Sequence, residues 1–172
     1  LSGVSLEEMH SKLSTKNVIR SVPNLPSVVG KGMAVFTGGN NSEDKIVKEA
    51  KSFFDAVGES IWTQKENLLD SSTAISGSGP AICALFIKWM QDSAEELGFT
   101  KEEARKLAYA TYDGALSYLV GTDQEPYEMV NKVTSPNGTT AAARKVLADN
   151  NVEEIFKEAF KAARMRAEEL GK

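Results

Sequence analysis

Ala81-Ile82-Cys83-Ala84-Leu85-Phe86-Ile87-Lys88-Trp89-Met90 carries a single charge in ten residues. Pro80 before it suits a first helical position, and Gly98 beyond it stops a helix. The segment therefore reads as a helix that is apolar on all sides, and such a helix must be covered on all sides. Its neighbours are helical too. Thr100-Lys101-Glu102-Glu103 is a capping box, in which a hydroxyl and a carboxylate three residues apart satisfy two free amides reciprocally. The helix it opens has a stripe of Ala104, Leu107, Ala108, Thr111, Ala115 and Leu119. A shorter helix follows Pro126, another covers Ala141 to Ala148, and Asn150-Asn151 breaks that one. Val152, Ile155, Phe156, Ala159, Phe160, Ala163, Ala167 and Leu170 line one face of the last. The pattern is helical from about Glu66, which predicts an all-α domain over residues 65–172.

Upstream the pattern alternates. Ser5-Leu6-Glu7-Glu8 is a second capping box and predicts a short helix from Leu6 to Leu13. Val18 to Val22 is a β-prone run halted by Pro23, and Met33 to Thr37 is another closed by Gly38-Gly39. After Asn40-Asn41-Ser42, apolar residues at Ile46, Val47, Ala50, Phe53, Phe54 and Val57 form a helical stripe that Gly58 ends. Ser60 to Thr63 reads as a third strand. Strand and helix alternate here as in an α/β domain, with too few elements to cover both faces of a parallel sheet. Residues 1–64 thus look like the last part of a larger α/β domain. The expected fold class is α+β, mostly α.

Composition narrows the function. The 172 residues are 41% hydrophobic and 26% charged, as in ordinary globular proteins. Asp and Glu (24) exceed Lys and Arg (20), and the basic residues are interspersed with acids. Nucleic acid and anionic membranes are therefore not expected partners. One cysteine, Cys83, forms no internal disulfide, and with one histidine, His10, there are too few soft ligands for zinc or haem; no metal is expected. No apolar run approaches a membrane span. The opening Leu1-Ser2-Gly3-Val4-Ser5 has no initiator Met and no signal pattern, and reads as cut from something longer. A cytoplasmic location is expected.

Hydrolytic constellations are missing. His10 is expected exposed on a short amphipathic helix, and Cys83 buried and inert, with no basic neighbour to lower its pKa. N-x-S/T triplets at Asn40 and Asn137 would matter only in a secreted protein. Two glycine-bearing stretches stand out, because free backbone amides at a helix start bind anions without charged side chains. Ser76-Gly77-Ser78-Gly79-Pro80 is either such a site or a plain helix start; it lacks the third glycine of a dinucleotide fingerprint. In Thr134-Ser135-Pro136-Asn137-Gly138-Thr139-Thr140, Pro136 stiffens a turn and Asn137-Gly138 tolerates left-handed geometry. Here Thr139 or Thr140 serves as a simple helix cap, or the loop holds an anion.

Taken together and in order, Arg20-Ser21-Val22-Pro23-Asn24-Leu25-Pro26, Leu69 to Ala81 and Thr134 to Thr140 resemble the pyrroline-5-carboxylate reductase family over essentially the whole chain. The resemblance implies the end of a Rossmann nucleotide-binding domain over 1–64, followed by a helical substrate-binding and dimerisation domain over 65–172. It implies hydride transfer from NADP(H) or NAD(H) to a cyclic imine, giving L-proline. The phosphate-binding G-x-G-x-x-G/A is not in this sequence, so the chain alone is expected to be inactive and to bind no cofactor tightly. By the same resemblance, Ser135, Asn137, Gly138, Thr139 and Thr140 bind the substrate, its carboxylate resting on Ser135 and on the amides near Gly138 and Thr139. Thr140 is the catalytic residue, reaching the ring nitrogen, and Asn24 lies at the nicotinamide end of the cofactor. Departures from the family pattern are Val22 for Met, Leu25 for Thr and Asn137 for Gly. A homodimer or a higher oligomer is implied. The alternative is a non-catalytic helical dimerisation module. Ser135, Gly138 and Thr140 together favour the enzyme, since a bare dimer module needs no anion loop.

Overall fold

The three β-prone runs pair into one sheet. In a computed structural model that describes residues 3–15, 17–38 and 43–171, β1 (Arg20–Val22), β2 (Gly32–Thr37) and β3 (Gly58–Trp62) lie in that order. β1 runs antiparallel to β2, with Val22 opposite Val35, and β2 runs parallel to β3, with Phe36 opposite Trp62. Parallel neighbours need a crossover, and α2 (Asp44–Asp55) supplies it. Side chains alternate along β2. Ala34 and Phe36 pack with Phe54 of α2, the Phe36 ring lying 5.1 Å from Phe54 and 5.4 Å from Trp62. Val35 joins Val22 and the fully buried Leu69 in a second cluster.

Gly58, expected to end α2, is instead the first residue of β3. A Cβ there would fall 2.1 Å from the Gly32 carbonyl oxygen, so the two strands meet only because this residue has none. The expected closing residue Gly39, Asn40-Asn41-Ser42 and the triplet at Asn40 lie outside the described residues.

Ser5 caps α1 (Leu6–Lys12), its hydroxyl accepting from the Glu8 amide at 3.0 Å, while the Glu8 carboxylate pairs with Lys12. His10 is exposed, as expected. α3 (Leu68–Ser72) passes through a π-helical turn over Thr73–Gly77 into α4 (Gly79–Glu96). Of the two readings left open for Ser76 to Pro80, the structural helix start holds over the anion site: the Ser78 amide donates to the Thr73 carbonyl at 3.0 Å, and that of Ala81 to the Ser78 carbonyl at 3.1 Å. The wide turn absorbs the two glycines without leaving the helix.

α5 (Lys101–Thr122), α6 (Pro126–Val133), α7 (Thr139–Asp149) and α8 (Val152–Leu170) complete the chain. The box at Thr100 forms in both directions. The chain packs as two compact units, residues 1–81 with 157–172, and residues 82–156. Among the described residues of the second unit, the buried apolar side chains are Ala94, Ala104 and Ala108. Leu85, Trp89 and Met90 of α4 are 45%, 53% and 37% exposed, and Cys83 is exposed as well. One chain does not supply the all-round cover that α4 requires, whose apolar surface is expected to be completed by a second copy, and Cys83, expected buried, is exposed in the single chain. A core of alanines leaves the larger side chains of these helices facing outward within a single chain.

Candidate functional site

The loop after α6 is built from its two ends. Thr134 terminates α6, its hydroxyl donating to the Val130 carbonyl at 2.6 Å, and Arg144 Nη1 donates back to that hydroxyl oxygen at 3.3 Å. A turn follows, closed by the Gly138 amide on the Ser135 carbonyl at 3.0 Å. Pro136 takes its second position and Asn137, at φ 58°, its third, where left-handed backbone is required and Asn is the residue after glycine that tolerates it.

Gly138 is the N-cap of α7, in extended backbone (φ −79°, ψ 173°), and no side chain caps the helix. This corrects the capping expectation: Thr139 and Thr140 occupy the first two helical positions, beyond the one from which a hydroxyl caps. The first intrahelical bond is Ala142 amide to Gly138 carbonyl, so the amides of Thr139, Thr140 and Ala141 have no helical acceptor. Ser135, Asn137 and Thr139 are exposed, and Gly138 and Thr140 half-buried. No acid occurs from Thr134 to Lys145, whereas Arg144 and Lys145 do. Three outward amides, the positive end of a helix dipole and flanking hydroxyls make a place for a carboxylate.

Asn24 lies in the other unit, at the end of β1. Both ends of its amide are engaged: Oδ1 accepts from the Met33 amide and Nδ2 donates to the Ser76 carbonyl, each at 2.9 Å. Each end keeps capacity for one more hydrogen bond.

Sequence reading gave no role to Arg20, which is 5% exposed and bonds Glu66 and Asp70, nor to the Ser76 carbonyl. It also passed over Tyr112 on α5, whose phenol burial pushes above its ordinary value, with Cys83 adding in the same direction. Among the described residues no His, Cys, Asp and Glu cluster could hold a metal ion, and no helix is long and apolar enough to cross a membrane.

Comparison with known proteins places the chain in a family. A family model described as pyrroline-5-carboxylate reductase dimerisation matches residues 66–170, more than half of the chain. A pyrroline-5-carboxylate reductase of Synechocystis is 38% identical over 172 residues, covering 100% of this chain and 64% of that protein. One from Corynebacterium melassecola is 35% identical, covering 99% and 63%. The chain therefore spans less than two thirds of the length of these curated relatives. Among solved structures, a pyrroline-5-carboxylate reductase from Coxiella burnetii superposes with a TM-score of 0.93 at 37% identity, over 99% of this chain and 63% of that one. The Plasmodium falciparum enzyme with NADP bound gives 0.90 at 26% identity, over 99% and 69%. By the matched dimerisation model and these relatives, the chain belongs to the pyrroline-5-carboxylate reductase family.

Proposed function

We propose that this chain is the substrate-binding and dimerisation portion of a cytoplasmic NADP(H)- or NAD(H)-dependent reductase that converts 1-pyrroline-5-carboxylate to L-proline. In this reading residues 1–64 are the end of a Rossmann domain and residues 65–172 the helical substrate domain. The observation that carries it is the uncapped start of α7, where the amides of Thr139, Thr140 and Ala141 face outward beside Ser135. Glycine and threonine cap about equally well, so what marks the loop is that its three free amides have no side-chain acceptor and stand beside Ser135. The loop thus favours the enzyme over a non-catalytic dimerisation module.

Reduction of a cyclic imine needs no nucleophile. It adds a hydride to the imine carbon and a proton to the nitrogen, and the nicotinamide cofactor supplies the hydride when bound. The chain's own residues do the placing. The Gly138 amide, expected to share the carboxylate with that of Thr139, is spent on the Ser135 carbonyl, so the substrate carboxylate lies on the Thr139 and Thr140 amides with the Ser135 hydroxyl as a further donor, which fixes the ring. Thr140 Oγ1 hydrogen-bonds the ring nitrogen as it becomes an amine, and Asn24 meets the nicotinamide end of the cofactor.

The test is a titration of the 172-residue chain with L-proline, followed by amide resonances. Selective movement of Gly138, Thr139 and Thr140, lost in Ser135→Ala, is expected. A fusion of this chain behind the remaining third of the Synechocystis relative should then reduce pyrroline-5-carboxylate. Unmoved loop amides together with an inactive fusion would overturn the reading.

A further inference from the structure

Arg20, Val22 and Asn24 fall at i, i+2 and i+4, the spacing that puts side chains on one face of extended backbone. All three meet the stretch that runs from the turn at Glu66 through α3 into the π-helical turn, at successive points along it. Arg20 Nη1 donates to Glu66 Oε1 at 2.8 Å, and Nη2 reaches Asp70 Oδ1 at 3.4 Å. Val22 packs with Leu69. Asn24 Nδ2 donates to the Ser76 carbonyl in the π-helical turn, while its Oδ1 holds the Met33 amide.

The charged contact is a costly way to gain stability. Arg20 is 5% exposed and its Nε has no hydrogen-bond partner. A buried guanidinium with an unsatisfied donor, paired to the partly exposed carboxylates of Glu66 and Asp70, is commonly no better for stability than an apolar side chain of the same size. A guanidinium offers direction instead. Its rigid fork addresses two carboxylates at once, that of Glu66 in the turn leading into α3 and that of Asp70 within α3, which fixes where the helix begins against β1 and how it is rotated. Glu66 is further tied by accepting the Leu6 amide at 2.7 Å. Asp70 precedes Ser76 by less than two helical turns, so the register set at Asp70 reaches the carbonyl that holds Asn24.

We propose that Arg20 is a positioning residue that sets the register of the α3 and π-turn segment against β1, so that Ser76 holds Asn24 in a fixed pose toward the nicotinamide end of the cofactor. The cofactor half of this statement rests on the function proposed above; the clamp itself does not.

Amide exchange at Met33, whose N–H ends on Asn24, reads the clamp directly in the 172-residue chain. Arg20→Met should speed that amide on the order of tenfold relative to Val35 and Phe36 in the same strand, as for one locally opened hydrogen bond. A uniform rise along β2, or none, overturns the proposal. Arg20→Lys keeps the charge without the fork and should show the same selectivity; wild-type exchange in this variant overturns it too. Where Arg20→Met does not fold, Arg20→Lys and Asp70→Asn decide by the same readout. In the Synechocystis fusion, Arg20→Met should raise the KM for cofactor about tenfold and leave the KM for pyrroline-5-carboxylate near wild type. An equal rise in both, or a lowered melting temperature with both constants unchanged, counts against positioning. An inactive wild-type fusion argues against the proposed function alone, and Met33 exchange then judges the clamp.

Discussion

A Cβ placed on Gly138 would lie 2.3 Å from the hydroxyl oxygen of Ser135. The two residues close the same turn, and the backbone of Gly138 is one any residue adopts, so a side chain there is opposed by the Ser135 hydroxyl in its present rotamer and not by backbone strain. Gly138→Ala should force the Ser135 hydroxyl into another rotamer and raise the KM for substrate about tenfold in an active fusion. The double variant Ser135→Ala/Gly138→Ala removes the clash with the hydroxyl, leaving a 3.2 Å approach to the residue 135 carbonyl oxygen, and should be close to Ser135→Ala alone. Additive losses in this cycle would show that the two residues act separately.

Thr140 and Ser135 should part company in kinetics. The Thr140 hydroxyl is assigned to a nitrogen whose bonding changes during reaction, so Thr140→Ala should lower kcat by roughly 10- to 1,000-fold. Ser135 is assigned to a carboxylate whose charge does not change, so Ser135→Ala should act chiefly on KM. Because Thr140 does not cap α7, its loss should leave the melting temperature close to wild type. Wild-type kinetics with a lowered melting temperature would remove the catalytic assignment.

What was legible in the sequence was local. The box at Thr100 and Glu103 and the stripes of α2 and α5 are set by spacings of three and four residues, and strand alternation by spacings of two. The clamp at Arg20 was hidden because its carboxylates lie 46 and 50 residues away, and no local pattern links them. Only the spacing of Arg20, Val22 and Asn24 hinted that one face of β1 meets something. The loop at Ser135 was found through its residue types, and of the two readings open there, a threonine cap or an anion loop, the geometry removes the cap. Threonine and glycine cap about equally well in isolation, and the turn closed at Ser135 brings Gly138 to the capping position first. The all-round apolar sequence of α4 and the stripe of α5 describe surfaces that a single chain leaves open, and Cys83 was expected to be buried because it lies in the most apolar of these segments.

The capping box of α5 should show itself in acid. Hydrogen bonds from the Thr100 hydroxyl and then its amide hold the Glu103 carboxyl below its ordinary value of 4.5. The folded state thus binds this proton less tightly than the unfolded state. The stabilisation is full above about pH 4.5 and disappears as the pH falls through the lower, folded value. Thr100→Ala should therefore melt earlier than wild type at pH 7, with the difference shrinking toward pH 3. A gap that stays constant with pH would mean the cap acts without the carboxylate. Asp55 is lowered in the same sense by hydrogen bonds from Lys51 and Ser60, so the acid limb of wild type should reflect both groups.

The alanine core of the second unit makes its oligomeric state a sharp test. Ala94, Ala104 and Ala108 bury little area, while Leu85 and Trp89 remain about half exposed and the matched family model is named for dimerisation. Sedimentation at low micromolar concentration should show a dimer. Leu85→Asp should dissociate it, since burying an unpaired carboxylate costs on the order of several kcal/mol, whereas an exposed one costs the separate chain little. Lys88 already pairs with Asp92 on the helix surface, where such pairs contribute little, so Lys88→Leu should remain dimeric. Helix content measured alongside separates loss of the interface from loss of the fold: Leu85→Asp should be monomeric and still helical. A wild-type chain that sediments as a compact monomer would mean that the exposed face of α4 is not what holds two copies together.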